Sequence, residues 1–234
     1  MKRFALPLLA VLVIVVAGQA TVSAQAPVVM PSALEATDNK LKIKVVFDPK
    51  DNNLKKLNVW IVGKNGGAKM ITDDWSDFAN MNTVESPEYK DVPKGDYTMV
   101  FLMKYVKTGA SEPSYAASTS TQTVKGKMGE NLGTLGASDA ILGNDLAVYG
   151  AYDPPKGTKW RTKGNANLYF FPANALVKDS PVAPVKEAFS KTVSVVPGTY
   201  IYFWRVEVVD DAGASKGFIT SKVVTKVVPT PKSN

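Results

Sequence analysis

The stretch "VVPGTYIYFWRVEVVD", Val195 to Asp210, places Tyr200, Tyr202, Phe203 and Trp204 almost side by side. An aromatic binding platform, a membrane-seeking segment and a core strand would each look like this at first. Alternation decides between them. With a period of two, Tyr200, Tyr202, Trp204, Val206 and Val208 share one face, and Ile201, Phe203, Arg205, Glu207 and Val209 share the other. The run is too short, and too polar at Arg205 and Glu207, to cross a bilayer. Pro197 and Gly198 set a turn just before it. The stretch is therefore a core β-strand.

It has an echo. "DYTMVFLMKYVK" (96–107) puts Tyr97, Met99, Phe101, Met103 and Tyr105 on one face and Val100, Leu102 and Val106 on the other. In both stretches the second face is also apolar at mid-strand. A two-sheet sandwich leaves such a face in water unless something lies over it. We therefore expect Leu102 and Phe203 to be covered, by a linker, a sister domain or another subunit.

Further strands follow from the same alternation. "KLKIKVVFDP" (40–49) sets Leu41, Ile43, Val45 and Phe47 opposite Lys42 and Lys44. "LNVWIV" (57–62), "DLAVYGAY" (145–152), "NLYFF" (167–171) and "GFITSKVVTKVV" (217–228) are rich in β-branched and aromatic residues and are bounded by turn formers. "DDWSDFANM" (73–81) is at most a short helical turn. The fold class is all-β.

The order of signals repeats. "FDP" at Phe47–Pro49 returns as "YDP" at Tyr152–Pro154. "VPKGDY", ending at Tyr97, returns as "VPGTY", ending at Tyr200, and "GAS" at 109–111 returns at 213–215. The three spacings are nearly equal, which indicates two copies of one domain. The expected organisation is a signal peptide (1–24), a first sandwich (36–125), a Gly-rich linker (126–144), a second sandwich (145–229) and a short tail (230–234). The linker assignment rests on Gly126, Gly129, Gly133, Gly136 and Gly143.

The segments "VPKGDYTMVFLMKYVKTGASEPSYAASTSTQTV" (92–124) and "VPGTYIYFWRVEVVDDAGASKGFITSKVVT" (196–225) resemble the second half of a fibronectin type III domain. The resemblance implies two tandem immunoglobulin-like β-sandwiches. It also implies that Tyr97 and Tyr200 form tyrosine corners, in which the hydroxyl ties down the preceding connection. Trp60 is the nearest counterpart of that family's early Trp, with Tyr169 or Phe170 in the second copy. The Arg-Gly-Asp tripeptide of some members is absent.

The N-terminus reads "MKRFALPLLAVLVIVVAGQATVSAQA". Lys2 and Arg3 precede an apolar run from Phe4 to Gly18, then small and polar residues, which is the anatomy of an export signal. Cleavage after Ala24 fits best. The run is shorter than the roughly 20 apolar residues of a spanning helix. The mature chain is thus expected to have no transmembrane span and to be periplasmic, on the cell surface or extracellular.

The 234 residues include no Cys and no His. A core without disulfides must hold the exported protein together. Ser-His-Asp and Cys-His nucleophile systems are impossible, and metal sites could use oxygen ligands only. Catalysis would fall to carboxylates, and no acidic pair stands out, so a non-enzyme without a cofactor is expected. The net charge of +7 is mild and has no dense patch, so nucleic acid is not an expected partner.

Two groups of polar residues have site-like composition. "PPKGTKWRTKGN" (154–165) gathers Lys156, Lys159, Arg161 and Lys163 around Trp160, a set that could grip an anionic polymer or stack on a sugar ring. The competing reading is a solvated loop whose Trp tucks into the end of the sandwich. Asp48, Asp51, Asp73, Asp74 and Asp77 could contribute oxygen ligands to Ca²⁺, but "DPKDNN" and "TDDWSDFAN" lack the EF-hand pattern and read better as solvated turns.

The reading that follows is a non-catalytic exported structural or interaction protein, with a protein or an envelope polymer as partner. One alternative is a carbohydrate- or anionic-polymer-binding module centred on the Trp160 loop. Another is a chaperone-like protein, since periplasmic pilus chaperones share the two-domain architecture.

Overall fold

The computed structural model describes residues 28–50, 52–63, 70–76, 78, 82–172 and 178–230. Residues 1–27, which include the expected signal peptide (1–24), lie outside them, as do Asp51, Asp77 and residues 231–234.

The first seven strands build one sandwich. They are β1 (Val28–Glu35), β2 (Lys42–Asp48), β3 (Asn52–Gly63), β4 (Ile71–Ser76), β5 (Thr83–Glu85), β6 (Gly95–Lys107) and β7 (Pro113–Val124). One sheet has the order β1-β2-β5 and the other β4-β3-β6-β7. The remaining strands are β8 (Thr134–Leu142), β9 (Asp145–Asp153), β10 (Arg161–Pro172), β11 (Lys178–Val182), β12 (Ala188–Ser194), β13 (Gly198–Val209), β14 (Ser215–Thr220) and β15 (Val224–Val228). They form the sheets β12-β9-β8 and β11-β10-β13-β14, with β15 also on β13. The second sandwich repeats the strand order of the first, with the counterpart of β7 divided into β14 and β15.

Each core follows from alternation. Ile43, Val45 and Phe47 point inward from β2 and meet Tyr97, Met99, Phe101, Met103 and Tyr105 of β6. In the second sandwich Leu146, Val148 and Tyr152 of β9 meet Tyr200, Tyr202, Trp204, Val206 and Val208 of β13. The lysines between the apolar residues of β2 face out, and Lys42 pairs with Glu85 at 3.0 Å.

Four elements differ from the sequence expectation. The first sandwich begins at Val28, because β1 pairs with β2 along its length. Asp73–Ser76 belongs to β4 and not to a helical turn; Trp75 lies opposite Leu57 and packs on the first core. The range 126–144 contains β8, which pairs with β9 throughout. The segment 217–228 is split into β14 and β15. Arg205 faces Thr220 and Tyr202 faces Val224, so one extra residue bulges between them.

The short connection between the domains is fixed at both ends. The Asn39 amide donates to the carbonyls of Val92 (2.9 Å) and Lys127 (2.8 Å), and its Oδ1 accepts from the Lys127 N–H at 2.8 Å. Gly126 sits at φ 136°, and any β-carbon there would meet the Asn39 backbone N at 2.6 Å. Glycine here is a packing requirement, not a source of flexibility. Beyond it, Leu132 enters the second core and its carbonyl accepts from the Tyr152 hydroxyl at 2.8 Å.

A third apolar layer joins the sandwiches. Val62 and Val100 from the first meet Phe171, Ile201 and Phe203 from the second. Trp60, Met70, Ala117, Tyr169 and Val223 surround them. Trp60 meets Phe171 edge-on at 4.8 Å, and Tyr169 stacks on Phe203 at 4.7 Å. The Thr220 hydroxyl donates across the junction to the Gly63 carbonyl at 3.0 Å. Phe203 and Leu102 are both buried, and the cover over Phe203 is the sister domain. The order of layers is β1-β2-β5, β4-β3-β6-β7, β11-β10-β13-β14/β15, then β12-β9-β8.

Phe171→Ala should cost about 3–5 kcal/mol, the usual range for a fully buried Phe, although Phe171 belongs to neither sandwich core. It should also separate the melting of the two domains in calorimetry. A single transition at the wild-type midpoint would show that the junction contributes nothing.

Candidate functional site

The residues expected to matter lie in three places. The two tyrosines sit at equivalent turns. The Tyr97 hydroxyl donates to the Pro93 carbonyl at 2.8 Å. The Tyr200 hydroxyl donates to the Val196 carbonyl at 2.7 Å and accepts from the Val196 N–H at 3.0 Å. Each hydroxyl closes the turn that starts its strand, so the two residues anchor the fold.

Trp160 ends the loop before β10. Its ring packs against the second core and carries the Lys216 ammonium 5.0 Å from its centre. Lys216 in turn pairs with Glu130 of the interdomain connection at 3.0 Å. Arg161 leans on the Asp210 carbonyl at 3.5 Å, and Lys163 pairs with Glu207 at 3.8 Å. Lys156 and Lys159 are exposed. A cleft of about 430 Å³ beside Trp160 is lined by Lys159, Asp210 and Asp211, so both signs of charge face it.

The described aspartates of the two acidic stretches each have a partner. Asp48 pairs with Lys50 at 2.5 Å, Asp74 with Lys56 at 2.7 Å, and Asp73 accepts from the Tyr89 hydroxyl at 2.6 Å. Among the described residues no three acidic side chains gather as a metal cluster would require.

The structure adds two features. The outer face of β8-β9-β12 carries a groove of about 760 Å³. Its rows read Gly136, Ala151, Ala188 and then Ser138, Tyr149, Ser190. No charged side chain lines it, and Tyr149 stands 40% exposed in it. Alternation in "DLAVYGAY" already turns Tyr149 away from Val148 and Tyr152, so this exposed aromatic could have been found from sequence.

The second feature is a polar latch at the edge between the sheets. Asp139 of β8 accepts from the Tyr202 hydroxyl at 2.8 Å and forms an ion pair with Lys226 of β15. Burial disfavours the Asp139 charge, but the hydrogen bonds from Lys226 and Tyr202 outweigh it and hold the carboxyl below its ordinary value. Burial, with the Asp139 bond and charge, pushes the Tyr202 hydroxyl well above the usual phenol range. Burial, with the charges of Glu187 and Asp153, pushes Tyr152 up to about 12. These hydroxyls keep their protons at neutral pH and act as donors, not as bases. Sequence spacing could not have joined Asp139 to Lys226, because the contact crosses between sheets.

No family model matches the chain, and no curated protein matches it. Among solved structures, the chicken CNTN1 FN1-FN3 domains match at 12% identity, with 88% of this chain and 68% of that chain covered and a TM-score of 0.30. A two fibronectin type-III domain segment from chicken tenascin matches at 12% identity, with 86% and 98% covered and a TM-score of 0.28. By its own strand order the chain is a tandem of two all-β sandwiches. Each unit of the tandem sets a three-stranded sheet on a sheet built around its β6 or β13 strand. Among the described residues no helix is long and apolar enough to cross a membrane.

Because the carboxyl of Asp139 is lowered in the folded tandem, its stabilisation is present above the unfolded value of about 3.9. It is lost as pH falls through the lower folded value. Asp139→Asn should reduce the melting temperature at neutral pH, and the gap to wild type should close under strongly acidic conditions. A gap unchanged between neutral and acid pH would rule out the ion pair as its source.

Proposed function

We propose that the protein is a non-catalytic structural or interaction protein that works outside the cytoplasm. The observation carrying this reading is the apolar layer of Val62, Val100, Phe171, Ile201 and Phe203. It joins the two sandwiches through their larger sheets. A tandem joined in this way is a stiff body and leaves its three-stranded sheets facing outward. Stiff spacing and exposed sheet faces suit holding or bridging partners. The signal-like N-terminus supports export, and the lack of His and Cys in the sequence narrows the chemistry open to an enzyme.

A second reading keeps the Trp160 loop as a contact for an anionic envelope polymer, with Lys156, Lys159, Trp160, Arg161 and Lys163 as its residues. It is favoured by the exposure of Lys156 and Lys159 beside the cleft. The acidic lining of the same cleft, and the pairing of Lys163 with Glu207, weigh toward a protein partner.

Fractionation of the native source, followed by crosslinking and identification of what travels with the protein, tests the main reading. A protein partner recovered in the exported fraction supports it, whereas a cytoplasmic location removes it. Changing Lys156 and Lys159 to Glu should leave that partner bound if the first reading holds. Loss of retention on purified envelope polymer would favour the second.

A further inference from the structure

The four sheets end in edge strands, and seven of the eight at their outer limits are β1, β4, β5, β8, β11, β12 and β14. A free edge invites pairing with another chain, and proteins suppress this with charges, prolines or very short strands. β1 has Pro31 at its middle and Glu35 at its end. β4 has Asp73 and Asp74, and β5 is only 3 residues long and ends in Glu85. β8 carries Asp139, β11 carries Lys178, Asp179 and Pro181, and β12 carries Lys191. β14 carries Lys216, and the offset strand β15 carries Lys226.

β7 is the exception. It is 12 residues long, "PSYAASTSTQTV", and from Ser114 to Val124 it has neither a charge nor a proline. It pairs with β6 in unbroken register, so no bulge turns its edge aside. Among the described residues no backbone bond ties 113–124 to any strand other than β6. None of residues 113–123 is buried, and Thr119 and Thr121 are exposed.

We propose that β7 is an assembly edge at which a second copy of this chain pairs antiparallel about a two-fold axis near Thr119. A two-fold contact sets the strand against itself, so a charge on or next to the axis opposes its own copy. β7 meets that condition by having none. Centring at Thr119 places Thr119 against its own copy and Ala117 against Thr121 of the other copy, on one face. Thr–Thr pairs across antiparallel strands are favourable. The product is a continuous sheet in the order β4-β3-β6-β7-β7-β6-β3-β4. This proposal is independent of the functional reading above, which needs only the junction inside one chain.

Sedimentation equilibrium of the purified protein should show a dimer that strengthens with concentration. Thr119→Lys with Thr121→Lys in one variant, and Thr119→Glu with Thr121→Glu in another, should each weaken self-association by about tenfold or more through like-charge opposition. Both positions are exposed, so near-ultraviolet circular dichroism should report native folding in both variants. Mixing the Lys and Glu variants should restore association as a mixed dimer. A wild-type protein that stays monomeric at every concentration overturns the proposal. So does a dimer indifferent to both variants, or a mixture that fails to re-associate. Pairing seen only with an added uncharged Ser/Thr-rich peptide would assign the edge to a foreign strand and also overturn the second-copy assignment.

Discussion

Phe203 is the residue on which the arrangement of the whole molecule turns. It lies on β13, yet it faces away from the core that β13 builds. It stacks against Tyr169 beside it and lies 6.0 Å from Phe171. A face like this is costly in water, since each fully buried large apolar side chain contributes about 1.5–3 kcal/mol. The sister sandwich removes it from water by placing its own Val62 and Val100 there. Neither sheet could keep its second face apolar without the other, so the two copies are committed to each other although each has a complete core.

The copies differ most where they meet. In the first sandwich the last strand is the continuous β7. In the second it breaks at Ser221, whose hydroxyl accepts from the Trp204 N–H at 2.9 Å and whose own N–H donates to the Trp204 carbonyl at 2.9 Å. The bulge keeps the Trp204 backbone paired while the chain steps sideways. On one side of the step, Thr220 reaches the Gly63 carbonyl; on the other, Val223 joins the third layer. The step leaves β15 as a short strand, and Lys226 on it is tied to β8 through Asp139 and so to Tyr202. The first sandwich has the simpler final strand, and there it is Ala117 that leans into the junction.

Much of the fold was legible because its dominant signal is local. Alternation named the faces of β6 and β13 residue by residue, and the spaced repeats located the second copy. The apolar second face announced that a cover exists. What remained hidden depended on contacts distant in sequence. "GFITSKVVTKVV" reads as one strand because a bulge leaves the alternation of short β-branched runs nearly intact. The glycines of 126–144 read as a linker, yet Gly126 is there because Asn39 lies where a β-carbon would go, and Gly136 is a position on β8. Gly150 is similar: the Phe189 ring occupies the space of its missing side chain and meets Trp204 at 4.5 Å. Gly126, Gly133 and Gly150 mark close approach, whereas Gly109, Gly143, Gly157 and Gly164 turn the chain in open space, and single-sequence reading does not separate the two.

The candidate site was legible to a smaller degree, for a reason rooted in charge. The cluster around Trp160 is conspicuous in one dimension because five polar or aromatic residues fall close together. In three dimensions Glu207 of β13 pairs with Lys163, Glu130 of the interdomain connection pairs with Lys216 beside Trp160, and the Asp210 backbone carbonyl meets Arg161. A cationic run in a β-protein borders strands from elsewhere in the chain, and their charges set its field. The opposite error affects neutral stretches. Serine, threonine and alanine in "SYAASTSTQTV" look like ordinary surface, and their neutrality gains meaning only once topology places them on an open edge. There the informative property is what the strand lacks relative to its seven counterparts, which a linear reading has no reason to compare.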